Sequence, residues 1–426
     1  HILKRYTTVY LFFVLFSVFF IKMRKDVIFL SKKRNYRLFL FVLLLADILA
    51  VGGLGIVRLK NAIPDTVYIR EGQKDDLTKL FDLPMVTYPE TIDVSDQGSY
   101  QIPCSLLGIF PLKQVQVETV EEKVVSVGGT PIGLYMETQG ILIVDTGEII
   151  GEDGISREPA ENIAKSGDYI LAVNGSPVTR KKQLIQKIQE SQGKSMELLV
   201  SREGEEIPIA LNPVKTEDDS YKLGIWVRDN TQGIGTMMYM EESGKFGALG
   251  HGISDTDTGE LLDVSGGELY EAEIFSIRKG TKGAPGELSG YIEYQEEKKL
   301  GTIEKNTEKG IYGRLDNWQQ PLNMKAPVAY KQEVKKGPAK IMTDLGDGVQ
   351  SYEIQITEIY EERADTNQAF EIQVTDPELL AKTGGIVQGM SGSPILQDER
   401  LIGAVTHVFV QDSSKGYGIF IENMLW

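Results

Sequence analysis

Gly389-Met390-Ser391-Gly392-Ser393-Pro394, near the C-terminus, spells G-x-S-G-x-P and is followed by two hydrophobic runs. A serine hydroxyl becomes a useful nucleophile only when a base takes its proton and backbone amides face the oxyanion that develops. A glycine-framed turn meets the second need: Gly389 and Ser391 would supply the amides, while Gly392 and Pro394 shape the exit into Ile395-Leu396. The same six residues also read as a polar hairpin loop, so their context decides.

The base must be a histidine, and the chain has three: His1, His251 and His407. His251 sits in Gly247-Ala248-Leu249-Gly250-His251-Gly252, a glycine-rich turn just after a strand, 140 residues before Ser391. His407 lies in the alternating strand Gly403 to Phe409, and with Thr406 it is expected to line the substrate cleft; it is the second choice as base. The acid that would hold the imidazole is Asp376, in Thr375-Asp376-Pro377-Glu378. Asp-Pro-Glu before an apolar pair is equally a helix start with aspartate as cap. Both readings stand, and Asp255 and Asp257 are further candidates. No metal or other cofactor is implied, because His251 and His407 are 156 residues apart in different contexts and Cys104 stands alone.

Short apolar strands and Gly-rich turns, with almost no long amphipathic helix, run from residue 220 to 426, an all-β signature. That length and the early-strand histidine resemble a trypsin-like peptidase, which implies a double β-barrel. Upstream, residues 113–213 resemble a bacterial PDZ domain. The resemblance rests on Gly167-Asp168-Tyr169-Ile170-Leu171-Ala172-Val173-Asn174-Gly175, followed by a helix from Arg180 to Glu190 with Leu184, Ile185 and Ile188 on one face. It implies a peptide ligand added to a sheet edge, with Ile132, Gly133 and Leu134 at the place of the carboxylate-binding loop. Pro131 departs from the usual loop, since proline has no amide to donate.

Residues 38–57 form a 20-residue apolar run with one charge, Asp47, long enough to cross a bilayer. Lys32, Lys33, Arg34 and Arg37 precede it, so residues 1–37 are expected in the cytoplasm and the remainder outside. An uncleaved anchor is favoured over a signal peptide, with Met23 as an alternative start. Residues 58–112 read as a spacer open to proteolysis. The net charge of -16 conceals a basic head: residues 61–426 hold 34 Lys/Arg against 59 Asp/Glu, which argues against nucleic acid as a partner. Mainly β architecture is expected throughout, with an anchor, a PDZ domain and a peptidase domain in that order.

That order, with Gly250-His251-Gly252, Thr375-Asp376-Pro377, Thr383-Gly384-Gly385-Ile386-Val387-Gln388-Gly389-Met390-Ser391-Gly392-Ser393-Pro394-Ile395 and Gly403-Ala404-Val405-Thr406-His407-Val408-Phe409-Val410, resembles the SpoIVB peptidase family of endospore formers over roughly residues 35–426. The resemblance implies a serine endopeptidase with Ser391, His251 and Asp376 as charge relay. It also implies an enzyme exported to the space between the two forespore membranes. There it cuts itself near its N-terminus and cuts a membrane-bound regulator of an intramembrane metalloprotease, which releases sigma-K. Two other classes remain in view: a PDZ scaffold with an inactive β-domain, and an HtrA-like housekeeping peptidase.

Overall fold

The computed structural model describes residues 32–70, 85–87, 99–316 and 324–425. Much of the expected cytoplasmic head, and residues 71–84 and 88–98 of the expected cleavage spacer, lie outside the described residues. The chain divides into two compact units. The first contains helix α1 (Lys32–Ala62) and a short strand pair, β1 (Val86–Thr87) with β2 (Ser99–Leu106). Residues Tyr36–Asn61 of α1 are long and apolar enough to cross a membrane. Leu44, Leu49, Val51 and Leu54 are all exposed around it, so its apolar residues are not gathered on one face.

The second unit is mainly β, and it is organised by one long strand, β3 (Pro131–Thr146). Ile132, Leu134 and Met136 alternate into a core and are at most 1% exposed. Pro131–Glu137 pairs with Thr236–Asn230 of β7 (Ile225–Met240), and Ile132–Thr138 pairs on the other side with residues 264–271. That second partner is β9 (Val264–Arg278). Between these two partners the sheet runs through β8 (Lys245–Ala248), β12 (Gly310–Leu315) and β11 (Lys299–Thr307), so six strands close into a ring. Phe246, Leu249, Leu269 and Ile303 fill it with the β3 side chains.

A smaller lobe grows out of that ring between β3 and β7. The C-terminal part of β3 pairs with β4 (Tyr169–Val173), then β5 (Met196–Arg202) and β6 (Glu205–Leu211), while Ile225–Arg228 of β7 pairs with Thr146–Leu142. A bulge near Asp229 separates the lobe half of β7 from the ring half. Helix α2 (Lys181–Glu190) buries Leu184 and Ile188 on the lobe core, and Ile185 is 48% exposed. Asn174 and Gly175, both at positive φ, make the tight hairpin expected of them. Buried Asp168 is held bidentately by Arg202 at 2.7 Å. Strand pairing thus puts Pro131–Thr138 in the first ring and residues 225–228 in the lobe, a division different from the one read along the sequence at 213 and 220.

The second barrel is closed by β13 (Gly337–Asp344), β14 (Val349–Ile359), β15 (Phe370–Val374), β18 (Asp412–Phe420), β17 (Arg400–Phe409) and β16 (Pro394–Gln397), in that order. Ile341, Ile354, Phe370, Ile395 and Phe420 form its core. Strand β10 (Gly286–Ile292) extends from β9 and pairs in parallel with Val387-Gln388, just ahead of the serine turn.

Candidate active site

The chain between β15 and β16 carries helix α3 (Pro377–Thr383), closed by Gly384 in the left-handed region, and then the Gly389–Ser393 turn. Within that turn the amide of Met390 donates to Val387 O, that of Ser393 to Met390 O and that of Gly392 to Val405 O at 2.8 Å. Among the described residues no turn or loop bond takes the amides of Gly389 and Ser391, the two expected to face an oxyanion. The Ser391 hydroxyl donates to the Thr406 carbonyl at 3.0 Å.

His251 comes from the other barrel, on the loop leaving β8. Leu249 and Gly250 both have positive φ, +69° and +74°, a conformation that costs a leucine energy and turns the chain sharply ahead of the histidine. The two loops meet backbone to backbone. A Cβ on Gly392 would lie 2.2 Å from Thr236 O and 2.5 Å from Leu249 N, so only glycine fits beside the serine. A Cβ on Gly250 would meet the Thr406 methyl at 2.9 Å.

His251 Nδ1 lies 2.8 Å from the Gly252 carbonyl. A carbonyl only accepts, so Nδ1 carries the proton and the neutral ring keeps its lone pair on Nε2, the tautomer that a general base needs. Burial pushes the His251 pKa below the usual histidine value, and the Gly252 bond opposes that only in part. The His407 ring stands 5.2 Å from that of His251, tilted by 39°. Its pKa is also lowered, by burial and then by His251, and its buried Nδ1 has no hydrogen-bond partner.

Ser391, His251 and His407 are therefore gathered at one place, and Asp376 is hydrogen-bonded elsewhere. Its Oδ1 accepts from Glu378 N at 2.9 Å and Leu379 N at 3.1 Å, and its Oδ2 accepts from Glu353 N at 3.2 Å. It is the N-cap of α3. Burial opposes ionisation of this carboxyl, and the three amides more than offset it, holding its pKa below the usual range. Asp255 accepts from Asp257 N and Thr258 N and pairs with Arg228, and Asp257 pairs with Arg228 at 2.7 Å. None of the three carboxylates bonds to His251.

Two expected binding positions come out differently. Thr406 is 3% exposed, and its hydroxyl lies 2.6 Å from Asn367 O and 3.2 Å from Tyr417 O. Its methyl approaches Gly250 of the histidine loop, and its carbonyl is what meets the serine. Ile132, Gly133 and Leu134 are buried in mid-strand with both edges of β3 paired, so no peptide can add there. One open edge of the lobe is Ile225–Arg228, which pairs with β3 on one side and with no strand on the other among the described residues; the outer edge of β6 is another. Helix α2 is tied alongside: Gln189 exchanges two 2.9 Å bonds with the Tyr221 backbone, and Lys181 N donates to Asp229 at 2.7 Å. Among the described residues no cluster of His, Cys, Asp or Glu is arranged to hold a metal.

Residues 219–425 match the family model described as SpoIVB peptidase S55. No curated protein sequence matches the chain. Among solved structures, the serine endoprotease of Yersinia pestis is 13% identical, with 44% of this chain and 54% of that one covered and a TM-score of 0.27. An active-form protease of M. tuberculosis is 13% identical over 45% and 71%, with a TM-score of 0.25. The PDZ domain of an SdrC-like protein from Listeria monocytogenes is 14% identical over 21% and 87%, with a TM-score of 0.17. Over residues 219–425 the chain is thus similar to the SpoIVB peptidase family, a match that supports a serine peptidase.

Proposed function

We propose that this peptidase is a membrane-anchored sporulation signalling enzyme that cuts itself and a membrane-bound regulator, so that pro-sigma-K is processed. Ser391 attacks the scissile carbonyl, His251 takes and then returns the proton through Nε2, and the amides of Gly389 and Ser391 hold the oxyanion. The observation that carries this assignment is the Nδ1 bond of His251 to Gly252, beside a serine turn packed on the histidine loop. The resting hydroxyl bonds Thr406 O, so attack begins with its rotation from that carbonyl to Nε2. Asp376, matched to the acid of the family's charge relay, acts here through the helix it caps. The PDZ-like lobe takes an extended peptide along Ile225–Arg228 rather than at residues 132–134. Helix α1 holds the enzyme at the membrane, on the side opposite its basic flank.

The experiment is self-cleavage of the full chain in detergent, read by N-terminal mapping. Cutting within residues 58–112 that Ser391→Ala abolishes is the expected result. Broad digestion of unfolded proteins without that cut would favour the housekeeping alternative, and an intact chain with no probe-reactive serine would favour the scaffold.

A further inference from the structure

The geometry points to Thr236 as a positioning residue that sets the serine turn for catalysis. This rests on Ser391 being the nucleophile. Thr236 is the last residue of β7 paired with β3, opposite Pro131, and is 3% exposed. All of its polar groups are turned to the two loops of the site. Its amide donates to Ser391 O at 3.1 Å. Its hydroxyl donates to Gly389 O at 2.9 Å. Its carbonyl accepts from Leu249 N at 3.3 Å, on the loop that carries His251.

The peptide unit is planar, so a carbonyl held in place also fixes the amide across the bond. Thr236 grips the carbonyls of Gly389 and Ser391, one on each side of the peptide that carries the Ser391 amide. That middle peptide is held from its other end by the bond from Ser393 N to Met390 O. An oxyanion donor works by being aimed before the reaction, and small misplacements are costly. The Ser391 bond uses the main chain of Thr236 and survives any side-chain change. The Gly389 bond depends on the hydroxyl alone, and a side chain without a donor removes it. Valine has the shape of threonine and no donor, whereas serine keeps the donor and loses a methyl.

The test compares the full chain in detergent as wild type, Thr236→Val, Thr236→Ser and Ser391→Ala. It measures the rate of fluorophosphonate labelling, kcat and KM on one peptide, and the melting curve. Thr236→Val is expected to label about tenfold more slowly, with kcat reduced and KM held, because one hydrogen bond that aims the turn is lost. Thr236→Ser is expected to restore most of the rate. Wild-type labelling by Thr236→Val overturns the proposal, as does a Thr236→Ser rate as low as that of the valine variant. Should Thr236→Val fail to fold, Thr236→Ala against Thr236→Ser makes the same comparison. Labelling that survives Ser391→Ala would remove the nucleophile reading itself, whereas labelling lost there and unchanged in Thr236→Val removes only the role of Thr236.

Discussion

A chain cut to residues 219–425, the span of the family match, retains Ser391 and His251 and loses residues 131–138 of β3. That strand closes the first ring, with ladders to β7 and β9 on its two edges. Ile132, Leu134 and Met136, at most 1% exposed, leave the core with it. Burying each such side chain is worth about 1.5–3 kcal/mol, so the loss is about 5–9 kcal/mol before any ladder hydrogen bond is counted. A domain's whole stability is about 5–15 kcal/mol. The truncated chain is therefore expected to be unfolded or molten, seen as a lost cooperative melt by circular dichroism and no fluorophosphonate labelling. A matched variant separates the strand from the lobe: Glu137 faces Asn230 directly, so residues 139–229 can be replaced by a short turn. That variant, beginning at residue 117, is expected to melt cooperatively and to label. Cooperative melting and full labelling of residues 219–425 alone would refute the insertion of the lobe into the first barrel.

The pH dependence of labelling follows from the His251 environment. Protonation at Nε2 removes the base, so the rate rises with pH through the His251 pKa, and burial places that midpoint below 6.5. A midpoint above 6.5 would contradict this. For Asp376, loss of the cap in Asp376→Ala is expected to cost about 1 kcal/mol in a denaturant melt, while Asp376→Asn, which still accepts the amides, keeps stability and most labelling. A drop of about 10⁴ in Asp376→Asn, the size expected when a triad acid is neutralised, would place that carboxylate on His251 in the working enzyme.

The serine turn and the histidine turn were legible as turns because their backbones demand unusual residues. Gly392 faces Thr236 O and Leu249 N too closely for any Cβ, and Gly250 turns at +74°, so glycine had to appear beside both. The all-β character was legible from strand alternation, which depends only on near neighbours, and the double barrel only through the trypsin-like resemblance. Residues 131–134 were not, because Pro-Ile-Gly-Leu alternates identically whether its partners lie in the lobe or in strands about 100 and 140 residues away. The bonds of Thr406 were not legible either: alternation along β17 does not say that its hydroxyl lies by Asn367 O and Tyr417 O while its carbonyl accepts from Ser391. Asp376 was readable both ways since a cap and a triad acid use the same carboxylate, and only the bonds to Glu378, Leu379 and Glu353 separate them.

The most direct measurement is the site of acylation. The full chain is treated with a fluorophosphonate, digested and mapped by mass spectrometry, in wild type and His251→Ala. The account predicts a single adduct on Ser391 that His251→Ala reduces by orders of magnitude. An adduct on another serine, or labelling of Ser391 that His251→Ala leaves unchanged, would contradict it.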